Sequence, residues 1–99
     1  MDQRAEAQDV PVVGIGSSAG GLEALREMFS SAEVPTGLAF VVVQHLDPHH
    51  ESMLAELIGR HTALSVKQCQ GGERIQPDTV FIIPPGHGLS ISNGTLELT

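Results

Sequence analysis

Apolar residues follow two different rhythms along the chain. Residues 10–15 and 38–43 are short, nearly uninterrupted runs of Val, Ile, Leu, Ala and Phe, the pattern of strands buried on both faces. Between them, Leu22, Leu25, Met28 and Phe29 recur at helical spacing. Strand, glycine-rich turn, helix and strand over about 30 residues make a βαβ unit, so the two strands should run parallel. Ser17 or Ser18 is suited to cap the helix. Glu23 falls in its first turn, where the helix dipole favours negative charge.

The same reading carries through the second half. Asp47-Pro48 opens a second helix as N-cap and first helical residue, with Met53, Leu54, Leu57 and Ile58 as its apolar stripe and Gly59 near its end. A third strand is expected at residues 64–68, a turn at Gly71-Gly72, and a further strand at residues 80–83 that stops at Pro84-Pro85-Gly86. Residues 89–92 and 95–98 flank Asn93-Gly94, a strong hairpin signal. These elements predict an α/β fold: a three-layer α/β/α arrangement on a mostly parallel, Rossmann-like sheet, with a C-terminal β-hairpin. Two helices are few for such a sheet, so residues 10–99 are expected to form part of a larger domain, with residues 1–9 as a polar lead-in or linker.

Composition narrows the picture. In 99 residues there are twelve acidic and five basic side chains, a formal charge of −7, which argues against nucleic acid or anionic lipid as partner. Cys69 is the only cysteine, which excludes an intrachain disulfide, disfavours a thiolate zinc site and suits a reducing cytoplasmic compartment. No apolar run approaches the roughly 20 residues a membrane helix needs, so membrane insertion is not expected.

Candidate chemistry concentrates at the glycine turn. Residues 14–21 read Gly-Ile-Gly-Ser-Ser-Ala-Gly-Gly. From Gly14 this is a variant dinucleotide phosphate loop; from Gly16 it is G-x-S-x-G, a nucleophile elbow centred on Ser18. Either site would use helix N–H groups, for a pyrophosphate in one case and a tetrahedral oxyanion in the other. The second strand weighs between them. A dinucleotide site places an acid near that strand's end, but here the strand ends Val43-Gln44-His45. Histidine is the base a serine needs. On adjacent strands about 5 Å apart, Ser18 and His45 approach hydrogen-bonding range. Two alternatives stay open on these residues: a nucleotide-binding half-Rossmann module using Gly14–Gly20, and a non-catalytic interaction domain.

The remaining histidines and the cysteine carry less. His45, Asp47, His49 and His50 resemble a metal cluster on paper, but Asp47 is better used as a cap and no second cluster completes a site. His61 at a helix end and His87 in a loop read as solvated or dipole-stabilised rather than catalytic, and Cys69 has no basic neighbour in sequence to activate its thiol.

Residues 12–21, then residues 41–45 (Val-Val-Val-Gln-His), resemble the catalytic domain of CheB-type protein-glutamate methylesterases. So do Gly72-Glu73-Arg74-Ile75-Gln76-Pro77 and Val80-Phe81-Ile82-Ile83-Pro84-Pro85-Gly86. The resemblance implies a serine esterase with Ser18 as nucleophile, His45 as base, and neither metal nor organic cofactor. It implies methylated chemoreceptor cytoplasmic domains as substrate, with deamidation of glutamines as a second activity, and a methyltransferase as fused or separate partner. Ser17 stands where many members have alanine. The family's orienting aspartate lies in a Met-Gly-x-Asp-Gly-like segment that these 99 residues do not contain, and Asp47 and Asp78 do not match it. Loss of that acid costs a related triad about 10⁴ in turnover, so little activity is expected from the chain alone. The residues before Val10 are also too few for the receiver domain of other members.

Overall fold

The computed structural model describes residues 10–17, 22–44, 54–60, 62–84 and 86–99. Among the described residues, six strands and two helices follow in the expected order: β1 (Val12–Ser17), α1 (Leu22–Ser30), β2 (Ala39–Gln44), α2 (Leu54–Gly59), β3 (Ser65–Gln68), β4 (Thr79–Ile83), β5 (Leu89–Ser92) and β6 (Thr95–Leu98). The first four strands in spatial order β1-β2-β4-β3 form one sheet, every pair parallel. β5 and β6 form an antiparallel hairpin. The α/β class, the parallel sheet and the C-terminal hairpin are as the sequence predicts.

Strand alternation divides the core in two. Val42, Val80 and Ile82 face α1 and α2, packing with Leu25, Phe29, Ile58 and Leu64. Phe29 meets Phe40 edge-on, with ring centroids 5.3 Å apart and planes at 79°, a favoured aromatic geometry. Ala39, Val41, Phe81 and Ile83 face the other way and pack on Cys69 and Leu96. Both described helices therefore lie on one face, and the hairpin covers the other. β6 is stitched down by the chain before β4: the Gly72 N–H donates to the Leu96 carbonyl at 2.7 Å, and the Leu96 N–H to the Glu73 carbonyl at 2.8 Å. The hairpin turn has Asn93 and Gly94 both at positive φ, 52° and 75°, as a two-residue primed turn requires.

Two expectations shift. β1 starts at Val12 rather than at Val10, because Pro11 has no N–H to give and joins the sheet only through its carbonyl, 2.9 Å from the Ala39 nitrogen. β1 is also an edge strand among the described residues, with Val12 and Val13 more than one-third exposed at 36% and 37%. A β-branched run does not reveal how many neighbours a strand has. The second helix covers Leu54–Gly59; its predicted opening at Asp47-Pro48 and the stripe residue Met53 lie outside the described residues.

Candidate active site

β1 and β2 run side by side in register, from Val12 opposite Ala39 to Ser17 opposite Gln44. The two predicted site residues, Ser18 and His45, are each the next residue in sequence after that last matched pair. Both lie outside the described residues, as do Gly20, Gly21 and the paper metal cluster at His45, Asp47, His49 and His50. The described frame brings the chain to the carboxyl end of two adjacent parallel strands, spaced by about 4.8 Å. In open α/β sheets that end is where ligands bind.

The local sequence accounts for this frame. Gly14 and Gly16 lie within β1, and nothing stands within 4 Å of a Cβ placed on either. α1 begins at Leu22, with Glu23 in its first turn. On its exposed side Arg26 meets Glu23 at 3.4 Å, a surface pair of small value. The other end of α1 is tied off where the Thr62 hydroxyl donates to the Phe29 carbonyl at 2.7 Å, satisfying one of the carbonyls a helix end leaves unpaired.

Neither described acid of β3 and β4 fits beside a histidine at this end. Asp78 precedes β4 at the opposite edge: Thr79 pairs with Ala39 at the start of β2. One five-residue strand, about 16 Å long, separates it from the carboxyl end. Its carboxylate is occupied. The Thr36 hydroxyl and backbone N–H both donate to Asp78 Oδ1 at 2.6 Å, and these two bonds, the hydroxyl first, hold its pKa below the usual aspartate value. The Asp78 backbone also joins strands, its N–H donating to the Leu38 carbonyl at 2.7 Å and its carbonyl accepting from the Ser65 N–H at 3.0 Å. It does this at φ 57°, in the left-handed region, which Asp tolerates better than most residues.

Glu73 does lie at the carboxyl end, past β3, but the turn uses it. Its carboxylate accepts from the Gln70 N–H at 2.6 Å, the Gly71 N–H at 2.9 Å and the Cys69 thiol at 3.2 Å. Burial alone would raise its pKa; the donated bonds, led by Gln70, outweigh this and lower it. Burial and the neighbouring Glu73 carboxylate push the Cys69 thiol up. A buried thiol held protonated is a poor nucleophile, as the sequence suggests. The sequence reading missed both carboxylate anchors. Pro77-Asp78 and the spacing from Gly71 to Glu73 are their signals, since Asp and Glu near turns bond local N–H groups.

Elsewhere on this edge, β4 leads through Pro84 to Gly86, at φ 82°, and to an exposed His87. Gly88 and Thr99 then exchange backbone hydrogen bonds at 3.3 and 3.1 Å, extending the hairpin. Among the described residues, no group of three His, Cys, Asp or Glu side chains is placed to hold a metal ion, and no helix is long and apolar enough to cross a membrane.

A parallel sheet whose first strand is followed in sequence by a glycine- and serine-rich segment defines the chain as an open α/β domain. Comparison with known proteins makes this specific: residues 13–99 match the CheB methylesterase family model, and the chain belongs to that family. It is 40% identical over 82 residues to a protein-glutamate methylesterase/protein-glutamine glutaminase of Xanthomonas oryzae pv. oryzae, covering 81% of this chain and 22% of that protein. It is 32% identical over 87 residues to a protein of the same name from Oceanobacillus iheyensis, covering 88% and 25%. The crystal structure of the Thermotoga maritima CheB methylesterase catalytic domain superposes with a TM-score of 0.73 at 33% identity, over 89% of this chain and 48% of that one. The chain thus spans about a quarter of these curated relatives and about half of the solved domain.

Proposed function

We propose that this chain carries the nucleophile and base of a protein-glutamate methylesterase, Ser18 and His45. The observation that supports this is the β1–β2 register, in which the residues preceding them, Ser17 and Gln44, are direct partners. The substrates are glutamate methyl esters on the cytoplasmic domains of chemoreceptors, and glutamine amides at such positions form a second substrate class. The protein works in the cytoplasm, opposite a methyltransferase that is fused or separate. Its relatives' names carry both activities.

The steps need only these groups and water. The Ser18 oxygen attacks the ester carbonyl as its proton passes to His45. The tetrahedral oxyanion collapses, the imidazolium returns the proton to the departing methoxide, and methanol leaves. Water, deprotonated by His45, hydrolyses the acyl-enzyme and releases the glutamate carboxylate. N–H groups at the start of α1 are the nearest donors in sequence for the oxyanion. Asp78 and Glu73 are both committed to other bonds; on the family resemblance, the acid that orients His45 comes from a downstream segment of the domain.

A serine-directed alkyl phosphonate tests the assignment on the chain joined to the remainder of a CheB catalytic domain. One adduct, mapped to Ser18 by peptide mass and lost in His45→Ala, is the expected result. Saturable nucleotide binding with no adduct would sink the esterase reading in favour of a phosphate loop.

A further inference from the structure

Asn93 is the only asparagine among the 99 residues, and glycine follows it. Asparagine is a thermolabile residue, and its lability has a specific chemical route. The nitrogen of the next residue attacks the side-chain carbonyl carbon, a succinimide ring closes and ammonia leaves. Glycine in that next place removes the Cβ that would crowd the attack. Nothing stands within 4 Å of a Cβ placed on Gly94, and Asn93 is exposed at the tip of the hairpin. Water and hydroxide therefore reach the reacting groups.

The folded turn nevertheless withholds the attacking atom. Asn93 at φ 52° and Gly94 at φ 75° are the two central residues of a type I′ turn. Such a turn sets ψ of its first central residue near about 30°, which places the following nitrogen on the far side of the Cα–C bond from Cβ. The Gly94 nitrogen thus points away from the Asn93 side chain, and attack needs the turn to open. Three contacts hold it closed. Ser92 pairs with Thr95, Thr95 bridges to Arg74, and the Gly94 carbonyl accepts from the Ile75 N–H at 2.8 Å. Ile75 in turn packs on the half of the core that holds Phe81, Ile83 and Leu96. Opening of the tip is coupled in this way to the seating of the hairpin on the sheet.

We propose that Asn93-Gly94 is a deamidation site gated by the hairpin turn, and that its isoaspartate product keeps the hairpin from closing again. In the open turn the Gly94 nitrogen gives its proton to hydroxide and bonds to the Asn93 side-chain carbonyl carbon. The carbon–amine bond breaks, and the amine leaves as ammonia with a proton from water. Water then opens the succinimide. Cleavage at the side-chain carbonyl restores the main chain with an aspartate, which tolerates the left-handed region and lets the turn reform. Cleavage at the main-chain carbonyl leaves the chain running through the side chain, one methylene longer. A two-residue turn cannot absorb that extra atom and still keep Ser92 opposite Thr95 and Gly94 at Ile75. The reaction consumes only water, and the inference is independent of the esterase chemistry.

The test incubates the chain, joined to the remainder of a CheB catalytic domain, in mild alkali beside a free peptide spanning residues 89–98. Peptide mass mapping follows the exchange of the side-chain amine for hydroxyl, and chromatography separates aspartate from isoaspartate. Conversion should be slower in the domain than in the peptide by about tenfold or more, because only the open fraction of the turn reacts. Glu73→Gln weakens the turn before Gly72, the segment that anchors β6. It should speed conversion by about threefold or more. If that variant fails to fold, low urea added to the parent should do the same. The isolated isoaspartate form should show fast amide exchange at Ile75 and Leu96, while the aspartate form keeps the parent's slow exchange. Conversion at the peptide's rate, a rate indifferent to both Glu73→Gln and urea, no conversion in any of them, or an isoaspartate form with parental exchange would each overturn the proposal.

Discussion

β1 and β4 read almost alike in sequence, Val-Val-Gly-Ile-Gly against Val-Phe-Ile-Ile, but their surroundings differ sharply. Every residue of β4 is buried. It has β2 on one side, β3 on the other, helices below and the hairpin above. Among the described residues β1 has one neighbour, and its Val12 and Val13 side chains are exposed. Hydrophobic run length reports the environment a strand is made for, and the number of neighbours decides whether it reaches that environment. β4 holds the described fold together, while β1 leads in sequence to Ser18, the proposed nucleophile. On that proposal, stability and chemistry fall on different strands of one sheet.

The sharpest way to separate the two strands is truncation. Phe81→Ala removes a fully buried ring packed on Val41, Cys69 and Leu96, and should cost about 3–5 kcal/mol. In a domain this small that approaches total stability, so urea denaturation should find the variant largely unfolded. Val12→Ala removes a partly exposed side chain beside an open face, and should cost below about 1 kcal/mol. Equal losses would mean that β1 is buried after all.

Next in size is the turn past β3. Glu73→Gln keeps the shape but removes the charge that accepts three donors. A loss of about 1–2 kcal/mol is expected, since hydrogen bonds to charged groups exceed neutral ones. The hairpin amides of Leu96 and Thr99 should exchange faster in the variant, because the Glu73 backbone anchors β6.

β4 has a second vulnerability that β1 lacks, at its amino end. Asp78 and Glu73 both have folded pKa values below their unfolded ones. Their contribution is complete above the unfolded carboxylate pKa of about 4 and is lost as pH falls through the lower folded values. Thermal melts should therefore decline as pH drops below about 4. Asp78→Asn should flatten that decline, with a lower melting temperature at neutral pH. A variant whose acid dependence matched the parent's would show that the Thr36 bonds contribute nothing.

How much of this was legible in sequence depended on the range of the forces involved. Local signals sufficed for the βαβ unit and the hairpin: Asn93-Gly94 needs only its own backbone to specify a turn. The strand order β1-β2-β4-β3 was beyond them, because nothing in residues 64–68 says that the next strand inserts between β3 and β2. Asp78 went unrecognised for the same reason. Its partner Thr36 lies 42 residues away in sequence, and no periodicity encodes that distance. The proposed pair Ser18 and His45 comes from motif and spacing and lies outside the described residues; the register supports the proposal by matching the residues before them, Ser17 and Gln44.

The smallest expected effect makes the comparison most discriminating. Val13→Thr replaces an exposed β1 side chain with one of similar shape and high strand propensity. Val80→Thr makes the same chemical change on β4, where the side chain is wholly buried between α1 and α2. A hydroxyl buried without a partner costs about 1–3 kcal/mol, so the β4 variant should lose that much. At Val13 the hydroxyl keeps its water, and the shift should stay within about 0.5 kcal/mol. The two strands differ in this substitution only by surroundings, because propensity and shape cancel. If Val13→Thr proved as costly as Val80→Thr in the chain alone, the exposure of β1 would be refuted.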